Sequence, residues 1–222
     1  MEHLEQRYRD HHRDSRSPDF IWAQPQRTAL FSEFVGGPGR RVLDLGCRYG
    51  ALTEYYAEGN DVTGVDIDRE ALEHAEARLG IQALWADLDY PLAFMDETFD
   101  VVVIGELLEH IREPHRLIGQ AYRVLRPGGR LVGSTPNGFR LKNRLRFFAG
   151  RPPEVDPTHL HLFSPDDVRE LLADFEDSEL RFVAGRLAPL HRRLFANVIF
   201  FTATKPAELV EMAHRTPVRE VA

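Results

Sequence analysis

Between residues 41 and 135, short apolar runs alternate with segments of helical periodicity, and this alternation constrains the fold more than any other feature. Strands are predicted at five apolar runs: Arg41–Leu45, Asp61–Asp66, Gln82–Ala86, Phe99–Gly105 and Arg130–Thr135. Apolar residues at helical spacing predict the helices between them: Ala51–Glu58, Arg69–Leu79 and Pro114–Leu125. Because strands that are apolar throughout must be buried on both faces, the sequence predicts an α/β fold with helices on both faces of a parallel sheet.

The pattern changes after Thr135. The segment Pro136–Phe163 is rich in Arg and Pro and lacks clear periodicity, so we expect an inserted lid there. Ser164 is a good N-cap, Pro165 suits the first helical position, and two acids follow. These residues predict a helix that runs to about Phe175.

Two further strands are predicted at Glu179–Ala184 and Leu194–Thr204. The segment between them is too short for a crossover helix, so we expect an antiparallel edge hairpin. The complete expectation is a doubly wound, Rossmann-like, mostly parallel sheet of seven strands. We expect residues 1–30 to form a helical cap, residues 31–205 the α/β domain, and residues 206–222 a charged tail.

Composition limits the partners of the chain. Its 222 residues, 43% hydrophobic and 28% charged, are typical of one globular domain. No apolar run approaches the ~18 residues of a membrane span, and the first residues do not resemble a signal peptide. Cys47 is the single cysteine, so no internal disulfide forms and a cytoplasmic location is expected. The net charge of −7 disfavours nucleic acid as a partner. The expected partner is a small-molecule substrate.

Suitable ligand-binding groups follow four of the predicted strands. The glycine-rich turn Asp44–Gly50 offers close backbone approach and free N–H groups, although such a turn alone is a weak signal. Asp66 ends the next strand, where an acid can bind a ribose diol. Asp87 follows the third strand, placed to meet an adenine edge, and the fourth strand ends at Gly105. We expect these groups to meet at the carboxyl edge of the sheet.

Together these segments resemble the class I S-adenosylmethionine-dependent methyltransferases. The resemblance covers about Arg40 to Asn137, and Leu125–Val132 is similar to the segment that leads into the fifth strand of that family. It implies an enzyme with S-adenosylmethionine as cofactor. In that case Asp66 would hold the ribose, Asp87 the adenine amino group, and Ile67 would pack on the adenine ring. The other residues expected to contact the cofactor are Asp44, Gly46, Cys47, Gly50, Leu88 and Gly105.

One position departs from the family pattern. Arg48 stands where the motif usually has a glycine. Its side chain must point away from the cofactor or reach toward the cofactor's carboxylate.

A candidate reaction site follows the fourth strand. On a helical turn, Glu106, Glu109 and His110 would share one face. Two carboxylates and an imidazole are reasonable ligands for Mg²⁺ or Mn²⁺. If the later segment is extended, His159 and His161 face the same way, and one of them could supply a fourth ligand.

This arrangement resembles that of two methyltransferase groups, the ubiquinone-biosynthesis O-methyltransferases and the small-RNA 3′-end 2′-O-methyltransferases. Two alternatives to a metal site stay open. His110, with Glu106 beside it, could act as a general base without a metal, or these residues could have a structural role. His159 and His161 could likewise only pack the lid.

The lid carries a basic and aromatic stretch. Arg140, Lys142, Arg144, Arg146 and Arg151 alternate with phenylalanines, so the stretch could clamp an anionic or aromatic substrate, or form an amphipathic helix with a solvated basic face. Three N-terminal aromatic residues are candidates to close the substrate pocket: Tyr8, Phe20 and Trp22.

The expected function is O-methylation of a small hydroxylated metabolite such as a phenol, a sugar or a polyketide-like product, assisted by a divalent metal. Two alternatives remain: 2′-O-methylation of an RNA 3′ end, and a non-catalytic S-adenosylmethionine-binding protein. Nitrogen or carbon as the methyl acceptor stays open, because the fold does not fix the acceptor.

Overall fold

The computed structural model describes residues 20–21, 23–154, 156–185, 187–207 and 219–221. Within these residues one sheet contains eight strands: β1 Arg41–Leu45, β2 Asp61–Asp66, β3 Gln82–Trp85, β4 Phe99–Gly105, β5 Leu125–Pro136, β6 Glu176–Val183, β7 Val198–Thr204 and β8 Arg219–Val221. The described helices are α1 Gln26–Val35, α2 Glu54–Ala57, α3 Arg69–Leu79, α4 Pro114–Val124, α5 Leu141–Phe148, α6 Pro165–Leu171 and α7 Arg192–Phe195. A 3₁₀ turn spans Leu108–His110.

The sheet is doubly wound, as predicted. Its strand order is β3-β2-β1-β4-β5-β7-β6-β8, and β1 to β5 are parallel. The chain order reverses between β1 and β4, which is the switch point where ligands bind in such sheets. Leu45 of β1 pairs with Val65 of β2 and with Ile104 of β4. The carboxyl ends of these three strands therefore lie side by side.

The predicted antiparallel edge is confirmed, since β7 pairs antiparallel with both β5 and β6. The prediction of seven strands was one too few. The additional strand, β8, lies in the stretch expected to be a charged tail and pairs parallel with β6. Glu220 of β8 forms ion pairs with Arg169 and Arg193, so long-range charge contacts hold a strand too short for a sequence pattern.

The bounds of β1, β2, β4 and α3 are those predicted. The helix expected over Ala51–Glu58 is shorter, because residues 50–53 form a hydrogen-bonded turn and α2 begins only at Glu54. The helix after Ser164 ends at Leu171 rather than near Phe175.

The lid region also differs in part from expectation. Helix α5 lies within the segment 136–163, which lacked clear periodicity. Asn137 bridges to Phe163, and the Gly138 N–H donates to the Phe163 carbonyl, so the segment leaves and rejoins the domain at the end of β5. We call residues 136–163 the insert.

The core consists of two apolar clusters, one on each face of the sheet. Alternate residues of β4 point to opposite clusters, Val102 to the one under α4 and α6 and Val103 to the other. Phe31 of α1 packs edge-on against Phe200 of β7 in the second cluster, with ring centroids 5.3 Å apart. Helices thus cover both faces, as predicted. Among the described residues, no helix has the length and apolar character to cross a membrane.

Candidate active site

A cavity of about 610 Å³ lies at the carboxyl ends of the parallel strands, with the insert forming another wall. Most of the predicted site residues line it: Asp44, Gly46, Cys47, Asp66, Ile67, Asp87, Leu88, Gly105, Glu106, Glu109, His110 and His159. Phe20 also lines the cavity, whereas Tyr8 and Trp22 lie outside the described residues. The structure does not place Gly50 or His161 in the lining.

Asp44 fixes the turn after β1. Its Oδ2 accepts hydrogen bonds from Thr53 Oγ1 at 2.6 Å and from the Tyr56 hydroxyl at 2.8 Å. Burial raises the pKa of Asp44 to about 6. The carboxylate thus ties the start of α2 to the strand while it borders the cavity.

Arg48, which stands where the family motif has a glycine, contacts Asp66 through its backbone. Arg48 has φ +49°, a left-handed conformation that glycine adopts more readily. Its N–H donates to Asp66 Oδ2 at 2.9 Å, and the Asp68 N–H donates to Oδ1 at 2.9 Å. Burial raises the pKa of Asp66, and the nearby Arg48 charge opposes that rise. The turn therefore holds the Asp66 carboxylate in a fixed orientation at the end of β2.

Gly50 lies in close contact with α3. It has φ +75°, and a Cβ there would lie 2.6 Å from Leu79 Cδ1 at the end of α3. The glycine lets α3 approach the turn, and this differs from the ligand contact expected of it.

The segment after β4 is not the helical turn that was expected. Glu106 has φ +60°, and its N–H donates to the Ser134 carbonyl, so the chain bends before the 3₁₀ turn Leu108–His110. The Glu106 Oε1 accepts a hydrogen bond from Ser134 Oγ at 3.3 Å. Glu106 therefore does not share a helical face with Glu109 and His110, although all three line the cavity.

Glu109, His110 and His159 form a compact group. Their candidate ligand atoms all lie within 4.8 Å of one another, and the two imidazole rings meet edge-on with centroids 4.8 Å apart. The Glu109 carbonyl accepts from the Leu160 N–H at 2.7 Å, which anchors the insert against the 3₁₀ turn. This backbone contact brings His159 to the other two residues. Glu106 is not a member of the group.

Glu109 is a deeply buried acid, with 1% of its surface exposed. Its Oε2 accepts a hydrogen bond from Thr135 Oγ1 at 3.1 Å, but Oε1 has no hydrogen-bond partner among the described residues. Burial raises the pKa of Glu109 well above its usual value, and the neighbouring Glu106 raises it further. A cation beside Oε1 would therefore stabilise the ionised carboxylate, which burial disfavours.

The hydrogen bonds around His110 determine its tautomer. Thr158 Oγ1 donates to Asp156 Oδ1 at 2.7 Å, so toward His110 Nδ1, 3.2 Å away, it can only accept. The Thr158 carbonyl, 3.3 Å from the same nitrogen, is also an acceptor. Nδ1 therefore carries the hydrogen, and Nε2 carries the lone pair that a base or a metal ligand needs.

His161 is placed differently from the expectation that it shares a direction with His159. Its Nε2 lies 3.3 Å from the Arg112 carbonyl, and its ring contacts Phe163. Only His159 joins the group, because the 3₁₀ turn binds the insert backbone between the two histidines.

Sequence reasoning missed Arg27. This residue of α1 is only 4% exposed and lines the cavity. Its Nη2 donates to Ser134 Oγ at 3.0 Å and would lie 3.6 Å from a Cβ added at Gly105. A signal existed, since Arg27, Phe31 and Val35 follow a spacing of four and mark the buried face of α1.

Arg140 and Lys142, from the basic stretch that could clamp a substrate, also line the cavity. Other lining residues that the site prediction did not include come from the loops and the insert: Asp89, Leu107, Glu154, Asp156 and Asn197. They approach the cavity only through tertiary contacts, for which the local sequence carries no signal.

The chain matches the sequence profile of a family described as "Methyltransferase domain" over residues 11–176. A protein of Mycolicibacterium smegmatis named "Probable S-adenosylmethionine-dependent methyltransferase" is 31% identical over 166 residues, which are 72% of this chain and 62% of that protein.

The "Ubiquinone biosynthesis O-methyltransferase" of Photobacterium profundum is 37% identical over 122 residues, 51% of each protein. The chain thus spans about half the length of the ubiquinone-biosynthesis relatives that it matches. Among solved structures, a SAM-dependent methyltransferase from Archaeoglobus fulgidus has a TM-score of 0.66 at 22% identity, covering 81% of this chain and 93% of that one. The structural likeness shows the same fold.

Proposed function

The chain belongs to the methyltransferase-domain family, and from this premise we propose that it is a class I S-adenosylmethionine-dependent enzyme that methylates a hydroxyl oxygen of a small molecule. The observation that carries the proposal is the Glu109–His110–His159 group in the same cavity as the acids that end the strands. The name of the Photobacterium profundum relative, an O-methyltransferase, agrees with oxygen as the acceptor.

The cavity has a suitable group for each part of S-adenosylmethionine. Asp66 would accept from the ribose hydroxyls, and Asp87 from the adenine amino group. Arg27, buried beside Gly105, would pair with the carboxylate of the methionine moiety. The cofactor supplies a methyl group on a positively charged sulfur, which is already a strong electrophile.

The chain must therefore supply what the acceptor needs. A neutral hydroxyl attacks well only after its proton is removed, whereas a neutral amine already has an available lone pair. His110 is half-buried and presents the lone pair of Nε2 to the cavity, so it can take that proton. A site built around a proton acceptor thus favours a hydroxyl.

The same residues fit a divalent cation. Two imidazoles and one carboxylate with an unsatisfied oxygen form a three-ligand set that leaves positions for substrate or water. Imidazole donors favour Mn²⁺ or Zn²⁺, since Mg²⁺ prefers oxygen ligands. Held by these three side chains, the ion would lower the pKa of the acceptor hydroxyl and orient it.

Methyl transfer from labelled S-adenosylmethionine tests the proposal, with phenols, sugars and amines as acceptors. We expect products methylated on oxygen, activity lost in EDTA, and recovery with Mn²⁺ or Zn²⁺. Full activity in EDTA, abolished by His110→Ala, would instead assign His110 as a base without a metal. Methylation of amines alone would contradict the proposed acceptor.

A further inference from the structure

A pair of cations lines the part of the cavity formed by the insert. Arg140 immediately precedes α5, Lys142 lies in its first turn, and both border the cavity. Both pair with the same oxygen, Oε2 of Glu154, which Arg140 Nη2 approaches to 3.3 Å. Two positive charges in the wall thus share one carboxylate.

The sequence around this pair is rich in basic residues. From Arg140 to Arg151 the sequence contains five basic residues and no acid, in a chain whose net charge is −7. Asp156, the next acid after Glu154, accepts hydrogen bonds from the N–H and the hydroxyl of Thr158. Glu154 therefore compensates the Arg140–Lys142 pair only in part, and the first turn of α5 adds no acid.

Glu154 is not required to hold the insert in place through its carboxylate. Its backbone N–H donates to Asn143 Oδ1 at 3.0 Å, and Asn143 Nδ2 donates in turn to the Gly138 carbonyl. Arg140 is fixed separately by a hydrogen bond from Nη1 to Asn197 Oδ1. The Arg140 guanidinium and the loop would thus keep their positions if the carboxylate swung away.

We propose that Arg140 and Lys142 form a subsite for a carboxylate or phosphate group of the acceptor substrate, and that the Glu154 side chain occupies this subsite until the substrate displaces it. The guanidinium fork and the ammonium group suit either anion. The inference rests on the proposed function, because it places the charged end of the acceptor in the cavity that holds Glu109, His110 and His159. The acceptor is then an anionic hydroxylated molecule.

Anion binding tests the subsite directly, with inorganic phosphate and benzoate as probes. Calorimetric titrations at constant ionic strength compare the wild type, Glu154→Gln, Lys142→Gln and Arg144→Gln, each with and without S-adenosylhomocysteine. Arg144 is the matched control, since it is a cation of the same helix that does not line the cavity.

We expect at least one anion to bind about five-fold more tightly to Glu154→Gln and about five-fold more weakly to Lys142→Gln, with Arg144→Gln within about two-fold of the wild type. The tighter of the two anions identifies the substrate's charged group. Equal weakening by Lys142→Gln and Arg144→Gln, or no tightening in Glu154→Gln, would overturn the subsite.

The outcomes for the subsite and for the proposed function are separable. Anion binding requires neither methyl transfer nor a metal. Specific anion binding without any methylated hydroxyl would refute the proposed function alone, whereas oxygen methylation of neutral acceptors without specific anion binding would refute the subsite alone.

Discussion

Thr135 Oγ1 on β5 donates a hydrogen bond to Glu109 Oε2 over 3.1 Å, whereas the other oxygen of the same buried carboxylate has no hydrogen-bond partner in the described part of the chain. A buried carboxylate with one unsatisfied oxygen is costly unless a proton or a cation completes its shell. His110 and His159 lie within 4.8 Å with the ligand atoms that such a cation requires.

Mn²⁺ affinity, measured from the electron paramagnetic resonance signal of the free ion, should fall at least about ten-fold in Glu109→Gln and in His159→Ala, because each variant removes one ligand. His161→Ala is the matched control, since that imidazole lies against Arg112. Its affinity should stay within about two-fold of the wild type. Wild-type affinity in Glu109→Gln would place any cation elsewhere.

His110, which borders Thr158, and His161, which borders Arg112, should be opposite tautomers in the metal-free protein. His110 should carry its hydrogen on Nδ1, because both neighbouring Thr158 oxygens accept, whereas His161 should carry it on Nε2, which faces a carbonyl oxygen. Long-range ¹H–¹⁵N correlation spectra recorded in EDTA near pH 8 distinguish the two. An Nε2–H tautomer at His110 would remove the basis for its role as a base or ligand.

Gly50→Ala should lower the free energy of unfolding more than Gly80→Ala. Both glycines have positive φ, but only a Cβ at Gly50 meets a neighbour, Leu79 Cδ1 at 2.6 Å, while Gly80 has open space. Denaturant unfolding should show an extra cost of about 1–3 kcal/mol for Gly50→Ala, as for an overpacked core. S-adenosylhomocysteine affinity should change little, since Gly50 does not line the cavity. Equal losses of unfolding free energy in the two variants would show that the Leu79 side chain moves aside without an energetic cost.

Stability should depend on pH through Asp44. Burial raises its pKa from 3.8 to about 6 in the folded protein, so below pH 4 both states are protonated and the acid costs nothing. As the pH rises from about 4 to about 6, the unfolded state loses the proton that the folded state keeps, so the folded state loses stability, and the loss is complete above about 6. The difference between 3.8 and about 6 corresponds to about 3 kcal/mol at about 1.4 kcal/mol per pH unit.

The variant Asp44→Asn lacks this charge. The difference in free energy of unfolding between the variant and the wild type should therefore shift in favour of the variant by up to about 3 kcal/mol as the pH rises from about 4 to about 7. The exposed Asp61, at the other end of the adjacent strand, provides the control Asp61→Asn. A wild-type pH dependence in Asp44→Asn would show that this carboxyl keeps its ordinary pKa.

The sequence was sufficient to predict the parallel strands of the sheet and their acidic edge, because these depend on local patterns. The apolar runs fix β1 and β2, and parallel strands place Asp44 and Asp66 at a common edge. The packing role of Gly50 depends on Leu79, a partner 29 residues away in a different element, so a glycine motif alone could not distinguish packing from ligand contact.

For the reaction site, the sequence predicted which residue types take part but not how they are grouped in space. Residue types identified Glu109, His110 and His159, but spacing within a presumed helix grouped Glu106 with them, whereas a positive φ at Glu106 bends the chain. The separation of His159 from His161 arises from hydrogen bonds to the Glu109 carbonyl, which no local pattern reveals.

The most direct test of the account is calorimetry with S-adenosylhomocysteine, because the Asp66 carboxylate is proposed to hold the ribose. Asp66→Asn keeps the shape of the side chain and removes its charge, so affinity should fall at least about ten-fold, the loss expected for a charged hydrogen bond. Asp61→Asn, on the same strand at the opposite edge, should bind like the wild type. Unchanged affinity in Asp66→Asn would contradict the placement of the cofactor at the carboxyl edge of β2.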